Sequence, residues 1–226
     1  MRIRKMKNTP LRLEKCASII MSNPSKHYGE WEKVFGNSNP IHIEIGCGRG
    51  RFILETAQSN PQINFIAIEK SKECLLSASE KIISSDLKNV RILLSDASVL
   101  GEIFQQGECG RIYLNFSDPW AKHRHAKRRL THENFLTVYK QILPETGEIF
   151  FKTDKRDFFD FSVNELKKCG INLAHITYDL HNGGFEGNIM TEYEEFFLKQ
   201  GMPICRLEAR LSPAPCEIVA DGIGKS

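Results

Sequence analysis

Four groups of residues, the last trailed by a basic run, have types and spacings suited to chemistry. Glu44-Ile45-Gly46-Cys47-Gly48-Arg49-Gly50 closes a short apolar run and opens a candidate helix. Glycines at Gly46, Gly48 and Gly50 permit a tight turn and let a ligand approach the backbone closely. Glu69 ends the next apolar run, and a carboxylate there can accept both hydroxyls of a ribose. Ser95-Asp96-Ala97 follows the third run and places a second acid at a strand end. Asn115-Phe116-Ser117-Asp118-Pro119-Trp120 follows the fourth; proline fixes the turn and Asp118 stands beside a large flat aromatic. Immediately afterwards, five of the eight residues from Lys122 to Arg129 are Lys or Arg, in a loop where phosphates can be held. A dinucleotide site would need G-x-G-x-x-G, and counting from Gly46 the third glycine position is Arg51. That argues against a nicotinamide oxidoreductase.

These groups need a scaffold that brings strand ends together. The apolar patterning predicts strands over Ile41–Ile45, Asn64–Glu69, Val90–Leu94, Arg111–Phe116 and Glu148–Lys152, with closing strands over Asn172–Tyr178 and Ile204–Glu208. Helices are predicted over Phe52–Ser59, Lys72–Ser84, Thr131–Leu143 and Phe158–Cys169. Thr131 is the expected N-cap of the third, with Asn134 three residues on, and Gly170 ends the fourth. Strands alternating with helices imply a mostly parallel sheet of seven strands covered on both faces, an α/β fold of Rossmann-like type. In such sheets ligands bind at the carboxyl ends of the strands, where the four groups fall. Residues 1–40 are poorly periodic and read as an N-terminal arm with one short helix; 41–226 read as the principal domain. The glycine-rich stretch Asp179–Met190 reads either as a flap or as a long connection.

The spacing E-x-G-x-G-x-G resembles the S-adenosylmethionine loop of the class I, Rossmann-like methyltransferases. In that fold an acid at the Asp96 position contacts the adenine amino group, and the end of the fourth strand faces the methyl group being transferred. S-D-P-W-x-K-x-R-H-x-K-R-R, spanning Ser117 to Arg129, is similar to the signature of the bacterial tRNA (guanine-N7-)-methyltransferase family. That family usually has proline where this chain has Ser117. Thr153-Asp154 matches the family's T-D pair, and Thr191-Glu192-Tyr193-Glu194 its T-x-[YF]-E. The resemblance spans nearly the whole chain. It implies methylation of the variable-loop guanine at position 46 of tRNA, with tRNA as partner and S-adenosylmethionine as cofactor. It also implies roles: Glu44, Gly46, Gly48, Gly50, Glu69, Asp96, Ala97 and Asp118 at the cofactor; Lys122, Asp154 and Thr191, Glu192, Tyr193 and Glu194 at the substrate. Arg124, His125, Ala126, Lys127, Arg128 and Arg129 would meet RNA.

Guanine N7 carries an exposed lone pair and no proton, so its methylation needs no general base, only alignment and exclusion of water. The ring gains positive charge, which a fixed carboxylate would stabilise. Asp118 is the first candidate and Asp154 the second. Trp120 reads equally as a base-stacking platform and as a packing residue.

Composition narrows the field. The chain has 226 residues and a formal net charge of +3, so the clustering of charge rather than its sum must argue for nucleic acid. Seven cysteines with no C-x-x-C pair disfavour a zinc site or a disulfide framework and favour a reducing, cytoplasmic setting. His27, His42, His132, His175 and His181 read as structural or surface residues, and no metal is expected. The basic N-terminus lacks the apolar core of a secretion signal, and no apolar run is long enough for a bilayer. The chain is expected to be a monomer or a homodimer. Two other readings remain open: a methyltransferase acting on another RNA or on an amino group, the latter class having a [DN]-P-P-[YF] motif that differs at the second proline, and an RNA-binding protein without catalysis on the same fold.

Overall fold

The computed structural model describes residues 8–212; Cys216 and the basic residues of the first seven positions lie outside them. The chain begins with α1 (Thr9–Glu14), a 3-10 turn (Pro24–His27) and α2 (Trp31–Phe35). It then alternates: β1 (Ile41–Ile45), α3 (Arg51–Ser59), β2 (Asn64–Glu69), α4 (Lys72–Ser84), β3 (Val90–Leu94), α5 (Leu100–Ile103), β4 (Arg111–Asn115). After a 3-10 turn at His123–Arg128 come α6 (Glu133–Ile142), β5 (Glu148–Thr153), α7 (Arg156–Lys168), β6 (Asn172–Thr177), α8 (Glu192–Leu198) and β7 (Cys205–Arg210).

The seven strands form one sheet in the order β3-β2-β1-β4-β5-β7-β6. Only β7 runs against its neighbours, pairing antiparallel with both β5 and β6. Every residue of β1 and β2 is buried, as expected of parallel strands covered on both faces. Alternate side chains of β2 enter different cores. Ile66 and Ile68 join one built with α5, α6 and α7; Phe65 and Ala67 join the other, with α3 and α4. From β1 the chain moves outward to β2 and β3, then returns to the far side of β1 as β4. The strand order reverses there, which opens a crevice beyond the carboxyl ends of β1 and β4.

Most expected elements are present, with boundaries moved for identifiable reasons. β4 stops at Asn115 because Phe116 adopts a left-handed backbone (φ 51°). α6 starts at Glu133 and is capped not by Thr131 but by His132, whose ring nitrogen accepts the Asn134 N–H at 3.2 Å. Thr131 is fully buried, and its hydroxyl is engaged with Ser162 of α7 at 2.7 Å. β7 runs to Arg210 because its ladder with β5 continues to Glu148. The segment before β1 holds two short α-helices where one was expected. Arg12 of α1 makes a two-pronged bond to Glu80 of α4 at 2.8 and 2.7 Å. Ile20 adds a parallel bridge to Ile92 at the sheet edge. Trp31 is fully buried and donates its indole N–H to the Ile103 carbonyl.

Candidate active site

The crevice is a cleft of about 580 Å³. Its walls include Gly46, Gly48, Glu69, Asp96 and Ala97 from the ends of β1, β2 and β3, together with Phe116, Ser117, Asp118 and Trp120 after β4. Lys127, Arg128 and Tyr193 complete its rim. The four groups singled out from sequence therefore meet at one place.

The glycine turn divides its labour. Gly46 and Gly48 have φ of 81° and 56°, and an added Cβ would meet nothing within 4 Å, so their surface is open for a ligand. Gly50 also has positive φ, but a Cβ there would lie 2.6 Å from the Ala78 Cβ and 2.9 Å from its Cα. Gly50 thus lets α3 and α4 pack together and is not part of the cleft wall. Glu69 fixes the turn from below: one carboxylate oxygen accepts the Gly48 N–H at 2.9 Å, the other those of Lys70 and Ser71 at 2.9 and 2.8 Å.

Asp96 accepts the Ser98 N–H on one oxygen at 3.0 Å. That bond holds its carboxyl below the usual range, ionised and with lone pairs to spare. Glu44 lies beneath the turn rather than on the cleft wall. Burial raises its carboxyl to about 7 against the pull of Asn115, which donates to one oxygen at 3.0 Å. The other oxygen is buried without a partner, an acceptor available to a donor entering above it. Burial pushes the thiols of Cys47 and Cys74 up, so neither is poised as a nucleophile.

The turn after β4 is bracketed by two non-glycine residues in left-handed conformations, Phe116 (φ 51°) and Trp120 (φ 42°). Such strain persists only where surroundings over-determine it. Arg129 supplies one constraint, donating to the Pro119 carbonyl at 2.9 Å and to that of Trp120 at 3.3 Å, with its guanidinium over the Phe161 ring. Its donors serve the protein, although sequence grouped it with the RNA-binding cations. Lys122, Arg124, Lys127 and Arg128 are exposed, and Arg128 lies over the Trp120 ring at 5.0 Å. His125 meets Trp120 edge-on, and Ala126 is half-buried on the same turn.

The remaining expected substrate residues do not all reach the cleft. Tyr193 does, and is 46% exposed. Thr191 is buried and caps α8, accepting the Glu194 N–H at 2.9 Å. Glu192 pairs with Lys81 of α4 at 2.8 Å. Glu194 is fully buried and pairs with Lys152 of β5 at 2.7 Å. Asp154 is nearly buried, its carboxylate 2.6 Å from the Lys155 ammonium. Sequence reasoning missed Lys152, whose only signal was a cation directly after the apolar Ile149–Phe151 run of β5. It also missed Phe116, whose role depends on a backbone angle. Among the described residues no group of His, Cys, Asp or Glu is placed to hold a metal, and no helix is long and apolar enough to cross a membrane.

An α/β sheet of this order, with a glycine turn and an acid at the end of each of β2 and β3, defines a class I, Rossmann-like methyltransferase fold. Solved structures agree on that fold. The 16S rRNA methyltransferase KamB superposes with a TM-score of 0.62 at 15% identity, over 82% of this chain and 94% of that one. An antibiotic-related methyltransferase gives 0.59 at 19%, over 80% and 92%. Residues 38–207 match a family model described as a putative methyltransferase. The tRNA (guanine-N(7)-)-methyltransferase of Listeria monocytogenes serotype 4b is 51% identical over 199 residues, covering 88% of this chain and 93% of the relative. That of Bacillus cytotoxicus is 45% identical over 217 residues, covering 96% and 100%. The chain belongs to the tRNA (guanine-N(7)-)-methyltransferase family.

Proposed function

We propose that this protein transfers the methyl group of S-adenosylmethionine to N7 of a guanine in tRNA, the variable-loop guanine at position 46. The observation that carries this reading is the shared cleft: the open glycine turn, Asp118 and the exposed cations Lys127 and Arg128 border one space.

The residues present fit the cofactor. Gly46 and Gly48 leave room against the backbone, the unpartnered Glu44 oxygen can accept from an amino group, Glu69 lies at the ribose position, and Asp96 has lone pairs for an adenine amine. S-adenosylmethionine supplies an electrophilic methyl group on a sulfonium. The chain's own task is then positional. The strained turn aims Asp118 at the cleft, where its carboxylate stabilises the positive charge that guanine acquires as N7 is methylated. The same carboxylate can accept from guanine N1–H and the exocyclic amine, which adenine does not match. Tyr193 and Trp120 offer aromatic faces to a base taken out of its stack. The exposed cations grip the phosphates on either side. Asp154, which does not line the cleft, serves less directly. With tRNA as substrate, the reaction belongs to the cytoplasm.

The test is incubation with labelled S-adenosylmethionine and unmodified tRNA, followed by digestion to nucleosides. Label in 7-methylguanosine supports the reading; label in an N-methylated amino group of adenine or guanine, or none, overturns it.

A further inference from the structure

Of the two charged side chains of β5, Lys152 is the buried one, with its ammonium 5.3 Å from the centre of the Phe52 ring. All three of its donors are used: on Asn188 Oδ1 at 3.0 Å, the Ile189 carbonyl at 2.9 Å and Glu194 Oε2 at 2.7 Å. Glu194 in turn receives Asn188 on its other oxygen, and His181 Nε2 lies 3.2 Å from it. One ammonium therefore joins the central sheet to the end of the glycine-rich 179–190 segment and to α8. The main chain of the same residue holds the other half of the site, because the Lys152 carbonyl accepts the N–H of Phe116 at 2.9 Å. Between the two halves the rings of Tyr193 and Phe197 stack on Phe116, with centroids 6.5 and 6.1 Å away.

We propose that Lys152, acting through Glu194, is a positioning residue that sets α8 against the Phe116–Asp118 turn and so fixes where the target base lies relative to the methyl group. The proposal rests on the methyl-transfer reading above and deepens it. It gives Glu194 a different task from the one its motif implies: a fully buried carboxylate bonded to Lys152 and Asn188 orders the helix that carries Tyr193. The left-handed Phe116 is thereby held from both sides. The cofactor side is built mainly from Gly46, Gly48, Glu69 and Asp96, none of which bonds to this pair; Lys152 reaches it only through its charge, which draws the Glu44 carboxyl down against burial.

A buried ion pair gives an unusual handle. Removing one partner strands a buried charge, whereas replacing both with apolar groups of similar volume restores stability. We would compare wild type, Lys152→Met, Glu194→Gln and the double variant Lys152→Met with Glu194→Leu, all below the lowest melting temperature. Calorimetry with S-adenosylhomocysteine, a thermal melt and steady-state methylation of tRNA give the readouts. Expected for the double variant is a melting temperature close to wild type, cofactor affinity within about threefold and kcat lower by about 100-fold, the loss attached to an error of about 1 Å in alignment. Glu194→Gln, whose amide oxygen can still accept from Lys152, should keep more turnover than Lys152→Met. Recovery of full kcat together with stability in the double variant would overturn the proposal, as would wild-type kcat in Lys152→Met. If Lys152→Met does not fold, the double variant decides alone. Should the double variant also fail to fold, Glu194→Gln decides: unchanged kcat overturns the proposal, and lowered kcat with intact cofactor affinity supports it. Wild-type protein that methylates nothing would instead defeat the functional reading, an outcome separable from any difference among variants.

Discussion

Gly48→Ala and Gly50→Ala lie two residues apart in one turn, yet the structure assigns them opposite consequences. At Gly50 the new methyl carbon would sit 2.6 Å from the Ala78 Cβ and 2.9 Å from the Ala78 Cα, a backbone atom of α4 that cannot rotate away. α3 and α4 must separate, an overpacking cost of about 1–3 kcal/mol. The left-handed backbone (φ 81°) adds about 1–2 kcal/mol for a residue with a side chain. Together Gly50→Ala should cost about 2–5 kcal/mol, a fall in melting temperature of roughly 5–15 °C for a chain of this size. Adding Ala78→Gly removes the clash between the two methyl carbons but not the crowding of the α4 backbone, so it should restore part of the loss. At Gly48 nothing lies within 4 Å, and only the backbone cost applies, about 1–2 kcal/mol. There the methyl group enters the space reserved for ligand, so affinity for S-adenosylhomocysteine should fall at least tenfold with the fold retained. Urea unfolding and calorimetry on both variants provide the assay. Equal stabilities for the two, or wild-type ligand affinity in Gly48→Ala, would refute the division of labour.

Three further outcomes are expected. Asp118→Asn keeps the shape of the turn and removes the charge, so kcat should drop by about 100-fold or more with modest change in tRNA affinity; near-normal 7-methylguanosine formation would disprove the role. Burial raises the Glu44 carboxyl from 4.5 in the unfolded chain to about 7. The folded state therefore favours the protonated form; the stability this gives is complete below about pH 4.5 and is lost as pH climbs through 7. Relative to Glu44→Gln, wild type should lose about 3 kcal/mol across that window, and a pH-independent difference in urea midpoints would contradict it. Finally, Lys127→Ala and Arg128→Ala should each flatten the salt dependence of tRNA binding, by about one unit of slope for every phosphate no longer neutralised. Arg129→Ala should instead loosen the 119–120 carbonyls, lowering kcat and stability with little change in slope. Equal slope changes for Arg128 and Arg129 would show that both meet phosphate.

What sequence made legible was local. Ile41–Ile45 and Asn64–Glu69 read as buried strands because short apolar runs stop abruptly at Gly46 and at a lone carboxylate. Lys72–Ser84 read as a helix because Leu75, Ala78 and Ile82 recur at helical spacing; the cap at Ser71 emerged only in the structure. The convergence of Gly46, Glu69, Asp96 and Asp118 followed from parallel strand topology alone. What escaped was set by partners distant along the chain. Thr131 has the chemistry of a cap, but Ser162 takes its hydroxyl and His132 takes over. Gly50 belongs to the same motif as Gly48, and only the closeness of Ala78 separates their purposes. Arg129 looks like its basic neighbours until the Pro119 and Trp120 carbonyls claim it. The Lys152–Glu194 pair spans 42 positions and leaves no local trace.

One experiment bears on the whole account: a crystal structure with S-adenosylhomocysteine bound. The account predicts adenine at Asp96, ribose hydroxyls at Glu69, and the sulfur between the Gly46–Gly48 turn and Asp118, facing the side bordered by Tyr193. A ligand seated elsewhere, or one whose sulfur turns away from Asp118, would contradict it.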